Sequence, residues 1–209
     1  MLEISNVKVY DLVESVLASG YSMMVNPYPD KLSNYLESDP EFQEGVKRLS
    51  KLTKIVSDTG VGGHDNALIG IRVSFDVKYP QYWSKEYQRY HFSDIVLSSS
   101  LMHRLHMMKL SECCNKYVDK GIIDLAQRKI DRYNSLKASG ASGDELYAAF
   151  MEMISNCPMG VELFMRVTTN YKQLQTIYRQ RLHHKLKEDW GAVCDMIESL
   201  PYAKELGIC

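Results

Sequence analysis

Apolar residues recur along this chain in two periods. Val7–Tyr10 (VKVY) alternates as a short strand does. From Glu41 to Val56 the step is three or four, through Phe42, Val46, Leu49, Leu52 or Thr53, and Val56. That spacing predicts a helix with one apolar face, stopped by TGVGG at 59–63. Residues 67–78, ALIGIRVSFDVK, carry the strongest strand pattern. Ile69, Ile71, Val73, Phe75 and Val77 fall on one side, and Gly70, Arg72, Ser74 and Asp76 on the other. One side of such a strand must be buried. Pro80 is suited to the first position of a helix. The helix expected there, YPQYWSKEYQRYH, puts Tyr82, Glu86 and Arg89 on one face. Residues 92–105 fit neither period, because Ser98, Ser99 and Ser100 interrupt them.

Further on, Gly121–Leu136 reads as a helix with Ile122, Ala126, Ile130 and Tyr133 as its stripe. ASGASGD, 138–144, is a loop whose last residue, Asp144, is placed to cap a helix reaching Ile154. Pro158 and Gly160 mark a turn. A long helix is predicted from Thr169–Asn170 past Arg181, and another from Lys187 to Leu200, ending at Pro201. Few strands and many helices define an α+β fold, with an antiparallel sheet that carries the 67–78 strand and helices packed on it. No repeat is visible, and the Ser/Gly loop is the lone boundary signal, so residues 1–209 read as one domain.

Composition narrows the possibilities. Hydrophobic residues make up 45% of the 209 and charged residues 24%, which fits a soluble globular protein. The net charge of -1 lacks the basic excess that duplex nucleic acid requires. No apolar run is long enough to span a membrane. The acidic N-terminus has neither the basic nor the apolar region of a signal peptide. Five cysteines, two of them adjacent and none in a CxxC, suit reduced thiols in a cytoplasmic protein rather than a disulfide framework or a zinc site. Tyrosine supplies 14 aromatics against 5 Phe and 2 Trp. Its apolar face and polar tip suit interfaces and stacking pockets, or simply a half-buried surface.

Candidate chemistry is dispersed. Asn170 is a good N-cap, and Arg181 lies eleven residues later on the same helix face, roughly 16 Å away. A helix start and a guanidinium could hold two parts of an anionic ligand. Equally, they could be a capped core helix and a surface arginine. Glu86, Arg89 and His91 offer a carboxylate, a guanidinium and an imidazole within two turns, and His103–Arg104 follow the serine run. Arginines with serines or backbone amides are a common phosphate-binding set, although each could be an ordinary solvated side chain. His183–His184 lack a spaced third ligand and read as surface. There is no GxGxxG, P-loop, GxSxG or HExxH.

Three segments resemble the flavin-dependent thymidylate synthases (thymidylate synthase complementing proteins). GHDNALIGIRVSFDVKYP is similar to the family's GHxSPxEHxxFxFxVKxP, with Gly63, His64, Phe75, Val77, Lys78 and Pro80 in place and Leu68 at one of its open positions. RYHFSDIVLSSSL stands where the family has its R-H-R-x7-S-x-R signature. Arg89 and Ser99 match it. Tyr90 replaces the histidine, His91 the second arginine, Leu101 the last arginine, and Val96–Leu97 an Asn-Glu pair. CPMGVELFMRVTTNYKQLQTIYRQR resembles the family's run of Leu-Pro, T-x-N, x3-L and x6-R, through Pro158, Thr168, Asn170, Leu174 and Arg181. Ile154 stands where a substrate-binding arginine precedes that proline, and KEDW, ending at Trp190, echoes AQWE.

The resemblance implies a one-carbon transfer to a pyrimidine nucleotide, dUMP or a variant, with FAD as hydride carrier, a folate as donor and NADPH as a further reductant. It implies flavin contacts from Arg89, His91 and Asn170. It implies substrate contacts from Glu86, Ser99, His103, Arg104 and Arg181, with His103 and Arg104 replacing the arginine lost at 101. A homotetramer with sites between subunits follows from the same likeness. A non-catalytic relative that binds a nucleotide or a partner, and an unrelated helical interaction module, stand as the other readings.

Overall fold

In the computed structural model, every residue except Met1, Pro27 and Pro29 is described. Four strands form one sheet: β1 (Glu3–Tyr10), β2 (Arg72–Pro80), β3 (Asp94–Ser98) and β4 (Glu162–Asn170), in the order β1-β2-β4-β3. Cross-strand bonds give the direction. Lys78 Nζ reaches Glu3 and Asn6 reaches Asp76, so numbers rise along β1 as they fall along β2. Ser74 meets Thr168, and Lys78 meets Glu162, which makes β2 and β4 antiparallel too. The helices are α1 (Leu12–Ala18), α2 (Pro40–Thr59), α3 (Ala67–Gly70), α4 (Gln81–Tyr87), α5 (Leu101–Arg104), α6 (Leu110–Cys113), α7 (Lys120–Ala138), α8 (Asp144–Ser155), α9 (Tyr171–Arg181) and α10 (Lys187–Glu198). The fold is α+β with an antiparallel sheet, as the periodicity predicts.

The chain divides into two compact units, and each strand contributes residues to both. The first comprises Met1–Glu3, Val77–Arg89 and Val96–Arg166, and the second Ile4–Asp76, Tyr90–Ile95 and Val167–Cys209. In the first unit α7 packs on α8. Leu105, Leu110, Ala126, Ile130, Met153 and Val161 form its buried cluster, with Leu101 and Ile154 against it. Tyr79, Trp83 and Tyr87 add an aromatic run, Trp83 stacking on Tyr87 at 4.8 Å. In the second unit α1 packs on α2 and α9 on α10. Phe42, Leu49, Leu68, Ile71, Phe75, Leu174, Ile177, Trp190 and Val193 are fully buried there.

Several expectations need correction. The 67–78 strand begins only at Arg72, because residues 67–70 make a helical turn that leaves Ile69 exposed. Ile71, Val73, Phe75 and Val77 are buried as the alternation requires. Pro80 ends β2 and precedes α4 instead of opening it. That helix stops at Tyr87, so Arg89 does not share its face with Tyr82 and Glu86. On α7, Ala126 and Ile130 turn inward while Ile122 is exposed. Gly143, in a positive-φ conformation, is the N-cap of α8, and Asp144 lies in the first turn, where its charge suits the helix dipole.

The α2 boundaries follow from local chemistry. Pro40 opens the helix, and Gly60 closes it at φ 71, with its N–H returned to Val56. Phe42, Val46, Leu49 and Thr53 form the buried stripe. Strand β4 has no counterpart among the predicted elements. It alternates with Leu163, Met165, Val167 and Thr169 buried. Among the described residues, no helix is long and apolar enough to cross a membrane.

Candidate functional site: a serine–arginine seat and a caged arginine

In the first unit the end of β3 runs into the serine triplet. Ser99 continues the ladder by one residue, its N–H donating to the Phe164 carbonyl at 2.8 Å. Its Oγ accepts from the Phe164 N–H at 3.2 Å and from Arg104 Nη1 at 3.4 Å. One turn of α5 brings Arg104 back over Ser99, and the Arg104 N–H bonds to the Ser100 carbonyl. Thus two of the expected substrate residues meet. They line a cavity of about 280 Å³ whose other polar lining includes Lys109, Glu112 and Glu162, the last paired with Lys78. The Lys109 charge is engaged by Glu112. Arg104 is exposed and forms no ion pair among the described residues, and its Nη1 donates to the neutral Ser99 hydroxyl. A planar, permanently charged donor next to a hydroxyl is suited to an oxyanion.

His103 also lies on α5 and is exposed. Glu86 is half-buried in the last turn of α4. Arg89 is exposed beyond that helix, its N–H bonded to the Glu86 carbonyl at 3.4 Å. Its guanidinium has no ion pair among the described residues. Leu101 and Ile154, which replace two arginines of the resembled pattern, both pack against the apolar cluster of this unit. Burial pushes the thiols of Cys114 and Cys157 up to about 11, which disfavours their thiolate forms. All five cysteines are free.

The second unit holds His91, Asn170 and Arg181. Asn170 does cap α9, its side-chain oxygen accepting from the Gln173 N–H at 2.9 Å. The segment with His91 is pinned on both sides. Tyr90 OH bonds Gln180 Oε1 at 3.1 Å, Thr169 Oγ1 donates to the Phe92 carbonyl at 3.0 Å, and the Phe92 N–H reaches Gln173. His91 is left exposed between these anchors. Arg181 is not a surface arginine. Its Nε donates to Tyr90 OH at 2.6 Å, and its guanidinium lies 4.4 Å from the Trp190 ring centre and 5.5 Å from that of Tyr90. His184, also expected at the surface, is half-buried against Trp190, with its Nδ1 accepting from the Leu186 N–H.

Tyr90 and Trp190 are neighbours of Arg181 that sequence reasoning missed as a pair. Each stood in a resembled segment, but nothing in the spacing joins positions 90, 181 and 190. Another unforeseen feature is the buried Asp65, whose Oδ2 pairs with Lys172 Nζ at 2.5 Å. Among the described residues no cluster of His, Cys, Asp and Glu could hold a metal ion.

An α+β unit of this topology is found in solved enzymes. The chain is similar to the flavin-dependent thymidylate synthase ThyX from Helicobacter pylori with FAD and dUMP, with a TM-score of 0.67 at 13% identity over 100% of this chain and 97% of that one. A second structure of that enzyme, also complexed with FAD and dUMP, gives 0.68 at 12% identity, over 99% and 97%. A UMP/dUMP methylase, PolB from Streptomyces cacaoi, bound with 5-Br dUMP, gives 0.58 at 13% identity over 100% and 92%. No protein-family model and no curated protein matches the sequence. The chain therefore has the flavin-dependent thymidylate synthase fold, in a sequence divergent from those of its structural neighbours.

Proposed function

We propose that this protein binds a pyrimidine nucleotide, dUMP or a close variant, and transfers a one-carbon unit to its ring. The observation that carries the reading is the Ser99–Arg104 pair, which lines a cavity and lies in and beside the segment resembling the family signature. There the nucleotide phosphate would accept from the Arg104 guanidinium and the Ser99 hydroxyl, with exposed His103 on the same short helix. Arg181, with its orientation fixed, would meet a carbonyl or anionic edge of the pyrimidine ring.

The donor chemistry also fits FAD. Arg89 and His91 each present an exposed nitrogen donor suited to a diphosphate, and Asn170 holds the start of α9 in place. When bound, the flavin would supply hydride to the transferred carbon, with a folate as the carbon source and NADPH as reductant. Glu86 lies one turn before Arg89 and would bias the local charge. Homotetramer formation is part of this reading. Val96 and Leu97 on the edge strand β3 are 60% and 76% exposed, which suits cover by a second copy.

A second reading is non-catalytic nucleotide binding. It is favoured by Leu101 and Ile154, which give their side chains to the core where the resembled pattern has charged donors. Purification and titration decide between them. The enzyme reading expects a yellow protein with absorbance near that of oxidised flavin and saturable dUMP binding. Nucleotide binding without any flavin uptake supports the second reading. Binding of neither FAD nor dUMP at millimolar concentration overturns both.

A further inference from the structure

Arg181 enters the proposed function as a ring-contacting group, and the inference here rests on that reading. An arginine at the end of a helix has several rotatable bonds and loses much freedom when it binds. This one is held beforehand. Trp190, fully buried, lies under its guanidinium, and Tyr90, 8% exposed, receives its Nε–H. The Tyr90 hydroxyl has one proton. That proton goes to Gln180 Oε1, so the oxygen lone pairs are left to accept from Arg181. The direction of every bond in the chain Arg181, Tyr90, Gln180 is therefore fixed. Gln180 and Arg181 are neighbours in α9, so the tyrosine fastens two consecutive side chains at the helix end.

We propose that Tyr90 is a positioning residue for nucleotide binding: its hydroxyl sets the Arg181 guanidinium over Trp190 before the ligand arrives. The resembled signature has a histidine at this position. A tyrosine extends further from the backbone and has one hydroxyl that accepts and donates together, which is what the Arg181–Gln180 pair uses. Phenylalanine would keep the ring and the cation–π contact but leave the Nε–H without its acceptor. Preorganisation of this kind appears in affinity, because the cost of ordering is removed from the binding step.

The test is a double-mutant cycle on dUMP binding, read by calorimetry, with Tyr90→Phe, Arg181→Lys and the pair. Tyr90→Phe is expected to weaken dUMP roughly tenfold in the wild-type background. In the Arg181→Lys background it is expected to change binding less than twofold, because its effect passes through Arg181. A merely structural tyrosine would weaken both backgrounds equally, and that result overturns the proposal. So does unchanged affinity in Tyr90→Phe, which would leave the nucleotide reading intact. Wild type that binds no dUMP removes the nucleotide reading and the positioning role with it. If Tyr90→Phe does not fold, Gln180→Leu serves, since Gln180 is exposed and its loss frees the tyrosine hydroxyl. It is expected to weaken dUMP two- to threefold, again only with Arg181 present, and equal affinity in that variant overturns the proposal.

Discussion

The Ser99–Arg104 seat and the Arg181 cage both present a guanidinium, and they hold it in opposite ways. Arg104 is exposed, with a single 3.4 Å contact to a neutral hydroxyl. Arg181 is half-buried between two aromatic rings, with its Nε fixed by a 2.6 Å bond. The first keeps its charge available and its position loose. The second keeps its position and shares its charge with ring faces, an interaction that grows stronger as water is excluded. Substitutions should therefore separate the two. Changes at the seat should be felt by ligand and hardly by stability, whereas changes in the cage should be felt by both.

The largest effect is expected in the cage. Trp190→Ala removes a fully buried indole and should cost about 3–5 kcal/mol of stability, measured by denaturant unfolding. A loss below about 1 kcal/mol would mean that the cage floor is not part of the core. Next comes the seat. Arg104→Ala should weaken dUMP by roughly tenfold to a hundredfold, the worth of one charge-assisted bond, with the unfolding midpoint unchanged. A lowered midpoint with unchanged affinity would reverse the comparison.

At the other end of α9, Asn170→Ala removes the side-chain cap and should cost about 1 kcal/mol, with Asn170→Asp recovering most of it. The smallest effect concerns acid stability. Hydrogen bonds from Lys129 and Arg132 hold the Glu152 carboxyl below its ordinary value. A lowered folded value means that this contribution is complete above the unfolded pKa and is lost as pH falls through the folded one. Glu152→Gln should therefore narrow the difference in thermal midpoint between neutral pH and pH below the carboxylate range. An unaltered difference would show that the pair, exposed as it is, contributes nothing measurable.

Legibility in the sequence followed burial. The stripe Phe42, Val46, Leu49 on α2 and the alternation Ile71 to Val77 on β2 were readable because one face is apolar and the other polar. Strand β4 was hidden although Leu163, Met165 and Val167 alternate. Its outward face carries Phe164, and Thr168 and Thr169 are alike in character while only the second is buried. The turn at 67–70 was absorbed into the strand because Ala, Leu, Ile and Gly in a short run fit either period.

Within the candidate site, Ser99 and Arg104 were found from the serine run and a family pattern, and the structure brings them together. Asn170 was legible as a cap from residue type alone. The cage was not, because Tyr90, Arg181 and Trp190 meet only through the tertiary fold. What stands at the two positions where the resembled pattern has arginines was equally hard to place from the sequence. Leucine and isoleucine at 101 and 154 became part of an apolar cluster, and no local pattern announces that exchange.

The central claim is that the Ser99–Arg104 seat takes the phosphate of a pyrimidine nucleotide. Phosphorus NMR of dUMP titrated with the protein tests it most directly, since the observed nucleus is the one the seat would hold. The phosphate resonance should shift and broaden saturably with wild type and remain at its free position with Arg104→Ala. A resonance unmoved by wild type, or moved equally by wild type and Arg104→Ala, would contradict the claim.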